Sequence, residues 1–190
     1  RFEEALGIIH RLLRTGQANF EGKYYRVREC ELRPRGPRKS GPPILVGTVT
    51  PGPRMLRLTA QYAELWNGWL AFGRSSPEEI PPLRAALDHA CEKIGRDPAT
   101  LGRTVAVGVA LPGHRLAFGP WDITSGALTG SPEELAAAFR AFARQGISHL
   151  QVYLAPNTPA GIEAFAPVLE LLDGEQTSVR SSAGVEVMDK

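Results

Sequence analysis

Between Gly47 and Pro53 the chain reads Gly-Thr-Val-Thr-Pro-Gly-Pro, and the chemistry available there belongs to the main chain. Glycine lets an oxyanion come close to the backbone, and the free N–H groups of a helix's first turn point at whatever lies before them. Pro53 suits a first helical position, because the N–H it lacks would be unpaired there anyway. The stretch is an anion site in outline, of the kind that takes a phosphate. Arg54 could pair with such a ligand, although an arginine in a first helical turn is commonly solvated.

The flanking elements give this loop its place. Ile44–Gly47 is a short apolar run, Arg54–Tyr62 has helical spacing, and Leu65–Leu70 is apolar again. Strand, loop, helix, strand is a crossover unit, and a crossover returns the chain parallel to its first strand. Ligands of such units sit at the carboxyl ends of the strands, where the loop lies. Alternate strand residues face opposite sides. Trp66 is accordingly assigned to the core, and Trp69, at the strand's end, to the pocket.

The rest of the chain repeats the pattern. Phe2, Ala5, Leu6, Ile9, Leu12 and Leu13 mark the buried face of a first helix stopped at Gly16. Ala18–Val27 reads as a small hairpin turning at Glu21-Gly22 or as an extended excursion, and Leu32–Pro43 as a surface linker. Ser76-Pro77-Glu78-Glu79 and Ser131-Pro132-Glu133-Glu134 both read as helix starts with capping boxes, the first complicated by Pro81 and Pro82. Leu83, Leu87, Ala90, Cys91 and Ile94 line the helix that follows. Thr104–Leu111 and His149–Leu154 are further strands. Leu135, Ala138, Phe139, Phe142 and Ala143 line one helix, and Ile162, Phe165, Ala166, Leu169 and Leu172 line a last one, capped at Thr158 and kinked at Pro167. The segment Pro112–Gly130 is long enough to be a lid, a binding loop or disordered. Residues 173–190 turn polar and are expected to be a disordered tail.

Four strands alternating with helices indicate an α/β fold with a parallel sheet. The expected architecture is the C-terminal half of a (β/α)8 barrel, with an open doubly wound sheet as the alternative.

Other chemistry is sparse. His10, His89, His114 and His149 have no partner at metal-ligand spacing and are read as structural or surface residues. Arg115, Phe118 and Trp121 could belong to a lid. Cys30 and Cys91 stand far apart, so neither zinc nor a disulfide is expected, and a reducing, cytoplasmic location is. With 22 basic and 20 acidic residues the charge is +2 and scattered. Nothing in that balance calls for nucleic acid or an anionic membrane as the partner, and neither is expected. No apolar run reaches the roughly 20 residues that span a bilayer.

Taken in order, Phe20-Glu21-Gly22-Lys23-Tyr24-Tyr25, the run Pro42–Asn67 and Gly146-Ile147-Ser148-His149-Leu150 resemble the C-terminal half of the bacterial luciferase-like monooxygenase superfamily. The resemblance covers about residues 1–172, expected to form one barrel domain part, and is closest to members using coenzyme F420. It implies a TIM-like barrel binding F420 or FMN, a small organic substrate and a possible homo-oligomer. It places the cofactor phosphate on Gly47, Thr48, Thr50, Gly52 and Pro53, and on Asn67, Gly68 and Trp69 at the end of the next strand. Pro51, where relatives often have a small residue, removes one donor. No catalytic residue transfers, since the family's first four βα units lie outside these residues. The chain opens at helical spacing on Arg1-Phe2-Glu3-Glu4 and is read as the downstream part of a longer protein. The rival reading is a non-catalytic half barrel that needs its missing half, or self-association, to fold.

Overall fold

The structure is a computed structural model that describes residues 1–49 and 52–183, with side chains as far as residue 174. Thr50 and Pro51, from the expected phosphate loop, and residues 184–190, from the expected tail, lie outside the described residues. The chain forms two compact units: Arg1–Asn67 with Ala85–Gly102, and Gly68–Arg84 with the chain from Arg103 onward.

In the first unit, helix α1 (Phe2–Thr15) ends at Gly16, whose left-handed φ of 83° turns its N–H to the Leu12 carbonyl. Strands β1 (Gln17–Glu21) and β2 (Arg26–Glu31) form the expected antiparallel hairpin. Its turn is fastened to α1 by Glu4, whose carboxylate accepts the backbone N–H groups of Lys23, Tyr24 and Tyr25 at 2.9–3.0 Å. Strand β3 (Leu45–Thr48), helix α2 (Pro53–Tyr62) and strand β4 (Leu65–Trp69) follow as the crossover unit. Arg96 closes the far end of α2 by donating to the carbonyls of Ala60 and Ala63, both at 2.7 Å. Leu58, Ala60 and Trp66 are each 1% exposed. Burial of a side chain such as Leu58 stabilises by roughly 1.5–3 kcal/mol.

The α1 stripe is only partly covered. Leu6 and Ile8 are buried, while Phe2 and Ile9 are about half exposed. The six apolar residues span a wider arc than α2 and β1 cover.

In the second unit, β5 (Gly102–Ala110) pairs in parallel with β8 (His149–Ala155), from Thr104 opposite His149 to Ala110 opposite Ala155. Between them lie two short strands, β6 (Ala117–Phe118) and β7 (Trp121–Asp122), and helix α4 (Pro132–Arg144). At α4 the capping box forms in full: Ser131 Oγ accepts from Glu134 N, and Glu134 Oε2 accepts from Ser131 N.

The other expected capping box does not form. Ser76 donates its hydroxyl to Glu78 instead, Pro77–Glu79 is a single 3-10 turn, and helix α3 (Ile80–Glu92) starts afresh. A helix begun at Pro77 would need the N–H groups of residues 81 and 82, and both are prolines. Helix α5 (Pro159–Ala183) starts as expected, Thr158 Oγ1 accepting from Gly161 N, and contains Pro167. Its buried face differs from the expected one: Gly161, Phe165 and Val168 are buried, whereas Ile162 and Leu169 are 59% and 50% exposed. Gly161 sets this rotation, because a Cβ there would collide with the Pro156 carbonyl.

The strands β3, β4, β5 and β8 are hydrogen-bonded in that order in one parallel sheet. Chain order and sheet order coincide, as in a barrel wall, whereas a doubly wound sheet reverses direction partway. The half-barrel reading stands and the doubly wound alternative falls.

Candidate functional site

The first unit carries the β3–α2 loop. Successive residues of β3 face opposite sides, which separates Gly47 from Thr48. Gly47 lies against main chain: a Cβ there would sit 3.9 Å from the Asn67 carbonyl oxygen. The Thr48 hydroxyl accepts the indole N–H of Trp66 at 2.9 Å. Trp66 is thus the core residue its position in the strand implied. Asn67 is 9% exposed.

Gly52 is the N-cap of α2, extended at φ −73° and ψ 165°, with Pro53 in the first helical position. Among the described residues no side chain caps this helix, and its first turn holds no acidic residue. The first-turn N–H groups of Arg54 and Met55 belong to the set that a helix cannot pair internally. A Cβ on Gly52 would meet nothing within 4 Å. Arg54 is engaged elsewhere: Glu3 accepts from Arg54 at 2.8 Å and from Arg57 at 2.6 Å. These two guanidinium groups hold the Glu3 carboxyl below its ordinary value.

His10 packs edge-on to Tyr62, with centroids 5.4 Å apart. Burial first, and then Arg14, pulls its pKa down against the opposing pull of Glu64. Cys30 and Cys91 are not joined in a disulfide. Among the described residues no group of His, Cys, Asp and Glu is placed to hold a metal, and no helix is long and apolar enough to cross a membrane.

The second unit carries Gly68, which is buried, and Trp69, which is half-buried. Trp69, Phe72 and Phe118 pack edge to face on one another, with centroids 4.5, 5.2 and 4.8 Å apart. Trp121 meets Phe72 at 6.2 Å and Tyr153 meets Phe118 at 6.0 Å. The long segment after β5 is therefore folded. Its β6–β7 hairpin is braced by an Arg115–Asp122 ion pair, by Asp122 accepting from the Thr124 hydroxyl at 2.6 Å, and by Tyr153 donating to the Ala117 carbonyl at 2.9 Å. The Thr124 hydroxyl, the Thr124 N–H and Arg115, in that order, hold the Asp122 carboxyl far below the carboxylate range.

Ser75 joins the segment after β4 to this one. It is 3% exposed, its hydroxyl accepts Gly108 N at 2.9 Å, and its own N–H goes to the Gly126 carbonyl at 2.8 Å. Sequence reasoning missed Phe72, Ser75 and Tyr153. Phe72, three residues after Trp69, was the one open to discovery, since a 3-10 turn brings such residues onto one side.

The sequence description of luciferase-like monooxygenases matches residues 1–114. Over 93 residues the chain is 32% identical to the pyrimidine monooxygenase RutA of Caulobacter sp. (strain K31), covering 49% of this chain and 25% of that protein. Over 133 residues it is 30% identical to the F420-dependent hydroxymycolic acid dehydrogenase of Mycobacterium tuberculosis (strain ATCC 25618 / H37Rv), covering 67% and 34%. An EDTA monooxygenase from Chelativorans sp. BNC1 superimposes with a TM-score of 0.68 at 14% identity, covering 91% of this chain and 58% of that one. An F420-dependent secondary alcohol dehydrogenase does so with a TM-score of 0.67 at 14% identity, covering 89% and 60%. The structural likeness establishes the fold, an α/β chain built as part of a (β/α)8 barrel. The chain belongs to the luciferase-like monooxygenase family. It spans a quarter to a third of the curated relatives' length and about 60% of the solved structures' length.

Proposed function

We propose that the chain is the C-terminal portion of a flavin- or F420-dependent oxidoreductase of the monooxygenase class, and that it supplies the cofactor's phosphate-binding loops. Relatives named for F420 and for monooxygenation support this, and FMN or coenzyme F420 is the cofactor it calls for. The observation that carries the site is the N-terminus of α2, whose N-cap is a glycine with nothing within 4 Å of where a Cβ would stand.

These residues fit a phosphate. The N–H groups of Arg54 and Met55 would donate to it, and the positive end of the helix would favour its charge. Having accepted from Trp66, the Thr48 hydroxyl keeps its own proton to give. Gly47, Gly52 and Pro53 would shape the approach, and Thr50, Asn67, Gly68 and Trp69 are assigned to the same ligand by family resemblance. The bound cofactor would supply hydride transfer or, as a flavin, oxygen transfer. The protein's part is to orient it and to keep water from it. The substrate is a small organic molecule. A cytoplasmic location is part of this reading, and two cysteines outside any disulfide are in keeping with it.

Gly52→Asp tests the site in the full-length protein. Asp is at least as good an N-cap as Gly, so thermal stability should hold or rise. Its carboxylate would repel a phosphate, so the affinity for FMN or F420, read by fluorescence titration, should fall at least about tenfold. Unchanged affinity for whichever cofactor binds would remove the site, and no saturable binding of either by the wild type would remove the enzyme reading.

A second reading is favoured by β3, a terminal strand of the sheet, with Leu45 42% and the adjoining Val49 55% exposed. On this reading the 190 residues alone are non-catalytic until further strands, or a second copy, cover that edge. Sedimentation of the isolated chain separates the cases: a cooperatively unfolding monomer would exclude this reading.

A further inference from the structure

The aromatic side chains of the second unit form a layer. Beneath it lies an aliphatic cluster of Ala110, Leu116, Ile123 and Ala155, all at most 8% exposed, against which Phe72, Phe118 and Tyr153 pack. These rings are half-buried, and Trp121 is 60% exposed. Four separate segments supply the layer: the end of β4, the turn after it, the β6–β7 hairpin and β8. Rings recruited only to fill a core would be covered as Leu116 is, at 1%.

The frame that carries the rings is fixed. Besides the bonds within the hairpin, Leu128 pairs with β5 as a strand would, donating to the Gly108 carbonyl at 2.8 Å and accepting from Ala110 N at 2.9 Å. Ile123 N is held by the Leu116 carbonyl at 2.9 Å, and the Leu116 N–H goes to Thr124 Oγ1 at 2.8 Å. The segment between β5 and α4 is thus tied to β5, to β8 and to the turn after β4. It is a wall, where the sequence also allowed a lid.

We propose that this wall selects flat, π-conjugated substrates by stacking. The proposal rests on the oxidoreductase reading, which puts the substrate at the carboxyl ends of the strands. Trp121, 60% exposed, leaves ring surface open to a visitor, and a planar π-system gains from offset stacking beyond the area it buries. A saturated ring of the same size has the area without that gain. Because the rings are already held, stacking costs little ordering of the protein. A small molecule is the fitting occupant: the charges of the hairpin itself, Arg115 and Asp122, are paired with each other, and the rings beside them offer a planar apolar surface.

The test uses two uncharged probes, 2-naphthol and decahydro-2-naphthol, titrated calorimetrically into the full-length protein and into Phe118→Leu and Trp121→Leu. Trp121 is exposed, so its replacement leaves the fold intact even if Phe118→Leu does not fold. The wild type should bind 2-naphthol roughly three- to tenfold more tightly than its saturated counterpart, and the variants should lose most of that preference. Equal binding of the two probes, binding of neither, or a preference that survives in Trp121→Leu and in folded Phe118→Leu would overturn the proposal. A wild type that shows the preference yet takes up neither FMN nor F420 would defeat the oxidoreductase reading and leave the stacking wall standing.

Discussion

The indole of Trp66 donates to the hydroxyl of Thr48 across 2.9 Å, joining the two strands that flank α2 beside the proposed phosphate loop. Trp66 is 1% exposed, so its N–H has little recourse to water. Thr48→Val keeps the shape and deprives this buried donor of its acceptor, which costs about 1–3 kcal/mol. Thr48→Ser should retain most of the stability. Urea unfolding of both variants, followed by near-ultraviolet circular dichroism, checks the ordering; equal midpoints would show that the bond contributes nothing.

Gly126 faces the Gly73 carbonyl, and a Cβ there would collide with it outright. Since Ser75 N also bonds the Gly126 carbonyl, the two segments cannot part without losing that bond. Gly126→Ala should destabilise by about 1–3 kcal/mol. A calorimetric melting temperature within a degree of wild type would mean that the segments are less closely joined than described.

Glu4 takes three consecutive N–H groups of the hairpin turn. Partial desolvation raises its pKa, and the bonds from Tyr24, Tyr25 and Lys23 together outweigh this and lower it. Glu4→Ala should speed exchange of these amides on the order of tenfold by opening the turn locally. Amide exchange by nuclear magnetic resonance reads this directly, with the α4 amides as an unaffected reference.

Asp122 makes the hairpin sensitive to acid in a calculable direction. Its folded pKa is depressed, so its contribution is complete above the ordinary carboxylate value, about 3.9, and disappears as pH falls through the folded value. Trp121 fluorescence should therefore stay flat from pH 7 to about 4 and change only in stronger acid, whereas Asp122→Asn should show the loosened spectrum at every pH. A transition centred near pH 4 in the wild type would refute the assignment.

The Thr59 hydroxyl on α2 is fully buried and without a hydrogen-bond partner among the described residues. Thr59→Val preserves volume and removes a desolvated polar group, so the variant should match or exceed wild-type stability by about 1 kcal/mol. Clear destabilisation in urea would indicate that the hydroxyl is paired in solution.

Local chemistry was legible in the sequence wherever local chemistry decides. Ser131 with Glu134 and Thr158 before Pro159 specify their helix starts from neighbours alone. The same motif at Ser76 misled, because Pro81 and Pro82 act one turn later and override it. The α5 face was misread for a tertiary reason: the helix turns on the contact between Gly161 and Pro156, which apolar spacing does not encode. The β3–α2 loop could be picked out from Gly47, Gly52 and Pro53. What braces it could not, since Trp66 reaches Thr48 and Glu3 reaches Arg54 and Arg57 across long stretches of chain. The aromatic layer was hidden likewise, its rings coming from segments as far apart in sequence as Trp69 and Tyr153.

The chain has three tryptophans, and their surroundings grade from Trp66 at 1% exposure through half-buried Trp69 to Trp121 at 60%. This gradient equips the protein with its own optical gauge. Acrylamide should quench the red-edge emission of Trp121 long before it touches Trp66, so events at the aromatic face and in the interior can be followed in one cuvette without attaching a dye.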